Sequence, residues 1–302
     1  VFIAALSLIA LLDSSVVRDV QIAPGEVLRT TSVGAGPTVV FIPGIFGGAF
    51  GFRHVIGSLA EQGYRCIVIE PLGFGWSSHP SKSDYSFAAQ TDRIGQVLDS
   101  LGETSVLVVG QSTGAAIAYR LTYRRPDLVR GILAIDGGPA ETAGTPGLKH
   151  ALRFGGFLTK LFVGAGVIRG RVRHDLIQNS GDTTWVTSDV VDAYTAGQAA
   201  DIHGAIDGLR RMAKSVEPES LRERLHEARV PVRLIHGTSP HPTRISPADL
   251  ALLTSELGDF EVDSVPGAGQ YLEEERPELV VGAVGRLAAD AVARLAADTE
   301  PH

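Results

Sequence analysis

The stretch Ser105-Val106-Leu107-Val108-Val109-Gly110-Gln111-Ser112-Thr113-Gly114 decides the fold. Its first half is a short apolar run rich in Val, which reads as a buried strand. Its second half is G-x-S-x-G, and a helical pattern follows from Thr113 to Arg125, where Pro126 ends it. A serine at such a strand-to-helix junction sits on a sharp, strained turn with its hydroxyl exposed at the end of the sheet. Gly110 and Gly114 leave room for that turn, and the helix from Thr113 points its positive end at the site. A solvated serine in an ordinary loop has no need of small residues on both sides.

Working outward, Val- and Ile-rich runs alternate with helix-period segments, the pattern of a mostly parallel sheet flanked by helices. Val16 to Thr31 reads as an antiparallel hairpin turning at Pro24-Gly25-Glu26. Strands are expected at Thr38–Ile42, Arg65–Glu70, Arg130–Ile135, Val230–His236 and Phe260–Val265, and helices at 49–62, 87–101 and 278–297. From Pro139 to Ala228 no strand pattern appears, only helical segments. The expected architecture is an α/β core from residues 1–138 and 229–302, with a helical cap inserted at 139–228.

Composition narrows the function. The chain has 302 residues, 44% hydrophobic, and a net charge of -7 from 27 Lys+Arg against 34 Asp+Glu, which argues against a nucleic-acid partner. A lone cysteine, Cys66, excludes an intrachain disulfide framework and reads as a core residue. The nine histidines show no metal-ligand spacing, and Gly73-Phe74-Gly75 lacks the rest of a nucleotide loop, so no cofactor is expected. Residues 1–12 are almost wholly apolar but too short to span a bilayer. They read either as the remnant of a secretion signal or anchor, making the protein exported or membrane-attached, or as an N-terminal helix of a cytoplasmic domain. Membrane contact is expected only through that segment.

Several motifs now combine. Phe41-Ile42-Pro43-Gly44, Glu70-Pro71-Leu72-Gly73-Phe74-Gly75-Trp76-Ser77, the elbow, Leu234-Ile235-His236-Gly237 and Pro266-Gly267-Ala268-Gly269-Gln270 with Glu274-Glu275-Arg276-Pro277 together resemble the α/β-hydrolase fold superfamily, in its helical-cap branch. The resemblance covers nearly all of the chain after residue 15. It implies Ser112 as nucleophile and an oxyanion hole formed by the backbone amides of Ile45 and Thr113. Epoxide hydrolysis in this fold uses an Asp nucleophile, which Ser112 excludes.

Two positions depart from the family. Where its acid is expected stands Pro240, and where its histidine is expected stands Gln270. A Gln amide donates and accepts hydrogen bonds but takes up no proton near neutral pH. Two residues are candidate replacements. His241 lies one position past the missing acid, although a histidine flanked by Pro240 and Pro242 reads first as a surface-loop residue. Asp136 ends a strand where a class of haloalkane dehalogenases places its acid, although hydrogen bonding to the Gly137-Gly138 turn is the simpler expectation. His54, His79 and His203 carry no motif. In the cap, Phe154, Phe157, Leu161 and Phe162 form a stripe expected to pack on the core or roof a pocket, and Arg169, Arg171 and Arg173 a solvated face. The expected ligand is a small apolar ester, lactone or related carbonyl compound turned over through Ser112; the alternative is a catalytically inactive hydrolase relative that binds an apolar ligand or a partner.

Overall fold

The computed structural model describes residues 15–143 and 165–299. Segment 1–12 and the stripe Phe154, Phe157, Leu161 and Phe162 lie outside the described residues. Eight strands form one sheet in the order β1-β2-β4-β3-β5-β6-β7-β8. The hairpin pairs β1 (Val16–Ala23) with β2 (Glu26–Val33), and Gly25 supplies the positive φ of 79° at its turn. β2 runs antiparallel to β4 (Arg65–Ile69). All later pairings are parallel, through β3 (Thr38–Ile42), β5 (Val106–Gln111), β6 (Val129–Ile135), β7 (Val232–Gly237) and β8 (Phe260–Val265).

Strand alternation divides the core in two. Val40, Ile42, Ile67, Ile69, Val106 and Val108 face one layer, which includes α2 (Phe87–Ser100) and α3 (Thr113–Arg124). Val39, Phe41, Val68, Leu107 and Val109 face the other, with α1 (Arg53–Glu61) and the final helix α10 (Pro277–Thr299). Helices on both faces explain why β3 and β5 are apolar without polar alternation. Each such side chain contributes about 1.5–3 kcal/mol by its burial. Cys66 belongs to this core, and burial pushes its thiol up to about 12.

Between β6 and β7 lie α4 (Ala165–Gln178), α5 (Ser188–Ala200), α6 (Ile202–Lys214) and the short α7 (Leu221–Arg224). The helix expected at 49–62 is a 3-10 turn, Ala49–Phe52, followed by α1. Helix α8 (Pro247–Glu256) has no counterpart among the sequence expectations, because its leucines form no clean stripe. Its start is nevertheless written locally: Ser246 accepts from the Asp249 amide and Pro247 occupies the first turn. A one-turn α9 (Leu272–Glu275) precedes α10. The parallel strands deliver their C-terminal ends, and the loops that follow them, to one edge of the sheet.

Candidate active site

Ser112 follows β5 with φ 51° and ψ −117°, one of two non-glycine residues with positive φ among those described. Its amide donates to Ile135 O at 2.9 Å. A Cβ on Gly110 would fall 2.6 Å from Gly114 O, and one on Gly114 would fall 2.1 Å from Ile42 O, so neither position admits a side chain. Such a backbone stores about 1–3 kcal/mol of strain. Among the described residues the Ser112 hydroxyl makes no hydrogen bond.

The loop after β3 touches this elbow. Gln111 Oε1 accepts from Gly44 N at 3.0 Å, and a Cβ on Gly44 would stand 3.2 Å from Ser112 Cβ. The amides of Ile45 and Thr113 make no hydrogen bond among the described residues. Behind them Glu70 clamps two loops, accepting from Ala49 N at 3.3 Å and Trp76 N at 2.6 Å, while burial raises its carboxyl.

Gln270 is buried in the loop after β8, its amide donating to Asn179 O of the helical insertion at 2.7 Å. Its Oε1 lies 2.5 Å from Thr243 Oγ1. Pro240 is exposed. His241 departs from its expectation as a surface residue. The prolines keep its backbone at the surface, but the imidazole turns inward and has no exposed area. Its Nε2 lies 3.0 Å from Asp136 Oδ2, which is equally buried, and its Nδ1 lies 3.2 Å from Thr243 Oγ1. Asp136 also departs from expectation: its carboxylate makes no hydrogen bond to the Gly137-Gly138 turn and instead faces His241. The Nε2 contact is close but poorly aligned, so neither partner gains a hydrogen bond from it. The backbone of Asp136 is strained as well, with φ 43°.

Thr243 and Glu273 carry no motif and escape a sequence reading. Thr243 stands at the centre of a polar cluster, its Oγ1 also 2.9 Å from Asn179 Oδ1. Glu273 is buried with Oε2 unpartnered, and burial drives its carboxyl well upward, reinforced by Glu274, Glu275 and Asp136. The run Glu273-Glu274-Glu275 looks like a solvated acidic turn, yet all three are buried. Glu274 pairs with Arg53 (Nη2 to Oε2 2.8 Å) and accepts from the Tyr194 hydroxyl at 2.9 Å. Glu275 accepts from Gly269 N, Gly181 N and Asp182 N at 3.0, 3.0 and 2.8 Å, tying the insertion to the Gln270 loop. Val172, Leu176, Val191, Tyr194 and Tyr271, with Phe50 and Trp185, pack the insertion onto the core beside them. Arg171 and Arg173 are exposed, while Arg169 pairs with Asp192.

The family model described as the alpha/beta hydrolase fold matches residues 37–167. The 2-(acetamidomethylene)succinate hydrolase of Mesorhizobium japonicum is 26% identical over 279 residues, 85% of this chain and 90% of that protein. Haloalkane dehalogenase 2 of Mycobacterium tuberculosis is 26% identical over 261 residues, 83% and 87% of the two chains. The structure of epoxide hydrolase CorEH superposes with a TM-score of 0.75 at 18% identity, covering 91% of this chain and 99% of that one. The sheet order, the elbow and these likenesses agree: the chain has the α/β-hydrolase fold.

Proposed function

We propose that the chain is a hydrolase-type enzyme that acts through Ser112 on a small apolar ester, lactone or related carbonyl compound. One observation carries the reading: a strained Ser112 presents an unengaged hydroxyl beside two unengaged amides, Ile45 and Thr113. Ser112 Oγ attacks the carbonyl carbon, and the oxygen that gains charge turns toward those two amides. The acyl-enzyme is then released by water. The name of the matched 2-(acetamidomethylene)succinate hydrolase supports the reaction class. The helices between β6 and β7 act as the cap over the bound molecule, which sets its size.

Gln270 cannot accept the serine proton. Loss of a triad base costs on the order of 10⁶ in turnover, and the oxyanion hole with binding alone leaves about 10³–10⁴ over water. The Ser112 hydroxyl has no hydrogen-bonded base, and this favours a second reading in which the protein binds such a ligand without turning it over. Hydrolysis of p-nitrophenyl acetate, p-nitrophenyl butyrate and γ-butyrolactone by the wild type and by Ser112→Ala tests the choice. Turnover that disappears in Ser112→Ala is the expected result. Equal rates for the two proteins on all three compounds would leave only the binding reading.

A further inference from the structure

We infer that the cleft between α6 and residues 83–85 binds a small oxyanion, the carboxylate or phosphate group of a molecule held by Arg211 and Lys214. The inference stands apart from the reading of Ser112 and uses none of its chemistry.

The sequence sets one wall of the cleft. Asp207, Arg210, Arg211 and Lys214 recur at i, i+3, i+4 and i+7 along α6, so they share one helix face. The opposite wall is Ser83, Asp84 and Tyr85, just before α2 in the core, and the two walls enclose about 490 Å³. Clefts that take small molecules commonly measure about 300–1,000 Å³. Gly208 lets the helix come close, since a Cβ there would stand 3.6 Å from Tyr85 Cε1. Tyr85 is buried and its hydroxyl donates to Pro80 O at 3.0 Å, so it forms a fixed floor. Burial pushes that hydroxyl up to about 12, against the opposing pull of Arg93 and Arg211, so the Arg211 charge is felt across the cleft.

The charges lining the cleft are unequally used. Arg210 pairs with Asp207, Nη1 to Oδ1 3.4 Å. Asp84 accepts from Ser86 N at 2.8 Å and from Ser86 Oγ at 3.1 Å, at the start of α2. Arg211 and Lys214 are exposed and make no hydrogen bond or ion pair among the described residues. Cations in a last turn complement the negative end of a helix, which is an ordinary stabilising placement. That end carries roughly half a unit charge, and two unpaired cations exceed it even with Asp84 opposite. The cleft is thus net positive in a chain whose net charge is -7. A concave cationic surface focuses the field and concentrates anions. Arg211 offers a planar fork that matches carboxylate or phosphate oxygens two at a time, and Lys214 adds a point charge.

Occupancy has a structural consequence. α6 belongs to the insertion between β6 and β7, whereas residues 83–85 belong to the core. A molecule whose oxyanion is bound by α6 and whose body lies against the opposite wall touches both, and holds the insertion in place.

Calorimetric titration of the full-length protein with phenyl phosphate, benzoate and phenol tests the site, with thermal unfolding alongside. At least one of the two anions should bind with a Kd of about 1 mM or tighter at low ionic strength, weaken at high salt and raise Tm. The tighter of the two names the oxyanion, and neutral phenol should not bind. Arg211→Gln combined with Lys214→Gln should weaken binding by roughly tenfold or more, about the worth of one charge-assisted hydrogen bond. Arg211→Lys, which keeps the charge without the fork, should fall between. Arg173→Gln, which removes an exposed charge from α4, should leave binding unchanged. The altered side chains are exposed, so each variant should keep the wild-type Tm without ligand. No binding of either anion to the wild type would overturn the inference. So would an equal loss in Arg173→Gln, which would show attraction to exposed cations in general. Undiminished binding in the double variant would also overturn it, because the anion would then sit elsewhere.

Discussion

His241 Nε2 lies 3.0 Å from Asp136 Oδ2, with both side chains fully shielded from solvent. The imidazole approaches the carboxylate at the end of β6 from the loop after β7, one strand away from the position of the family's base, without forming an aligned hydrogen bond. An imidazole placed at position 270 would find Pro240 where the family's acid is expected.

Gln270→His should therefore restore only part of a conventional triad. The expected gain in reaction with p-nitrophenyl acetate is roughly 10- to 100-fold, far short of the ~10⁶ that a complete triad base supplies. A gain near 10⁶ would mean that the new imidazole needs no acid at position 240.

The elbow makes a steric prediction. A methyl group on Gly114 meets the backbone at Ile42 O, which cannot yield cheaply. Gly114→Ala should lose about 3 kcal/mol or more in urea denaturation, at the upper end for overpacking. Gly285→Ala is the contrasting case, since its added Cβ meets nothing within 4 Å and it lies inside α10. It should gain about 0.5–1 kcal/mol from helix propensity.

Glu275 holds three backbone amides from two segments. Glu275→Ala strands all three, and about 3 kcal/mol of stability should be lost, read as a lowered Tm. Glu275→Gln, which keeps one acceptor oxygen, should fall between. An unchanged Tm in Glu275→Ala would show that the insertion is held on the core by its aromatic cluster alone.

Glu273 gives a pH dependence with a definite sign. Burial holds its folded-state carboxyl well above the ordinary 4.5. Above that value the folded protein retains a proton that the unfolded chain has released, so this group's contribution to stability falls as pH rises. Glu273→Gln, neutral and of the same shape, removes that slope. The stability difference between Glu273→Gln and wild type should grow in favour of the variant as pH rises from about 4.5 toward neutrality. Parallel stability curves would show that Glu273 ionises without penalty.

Much of the fold was legible because its signals are local. The hairpin at Gly25, the elbow at Gly110 and Gly114, and the break between β6 and β7 each follow from backbone geometry or from periodicity. Helix α8 was missed because its cap was clear but its apolar stripe was not. In the site, Ser112, Gln270 and Pro240 are visible against a motif. The inward turn of His241 is not, since two flanking prolines look like a surface loop whichever way the imidazole points. Thr243 and Asn179 meet across 64 residues, a contact that no spacing encodes. Glu273 reads as one more charge in an acidic turn until its burial is seen.

The central claim is that Ser112 is a reactive nucleophile. Incubation with a fluorophosphonate probe, followed by mass analysis of the peptide containing Ser112, tests it most directly. The expected result is a covalent adduct on Ser112 in the wild-type protein that is absent in Ser112→Ala. No adduct on Ser112 in the folded wild type, under conditions where a conventional serine hydrolase is fully labelled, would contradict it.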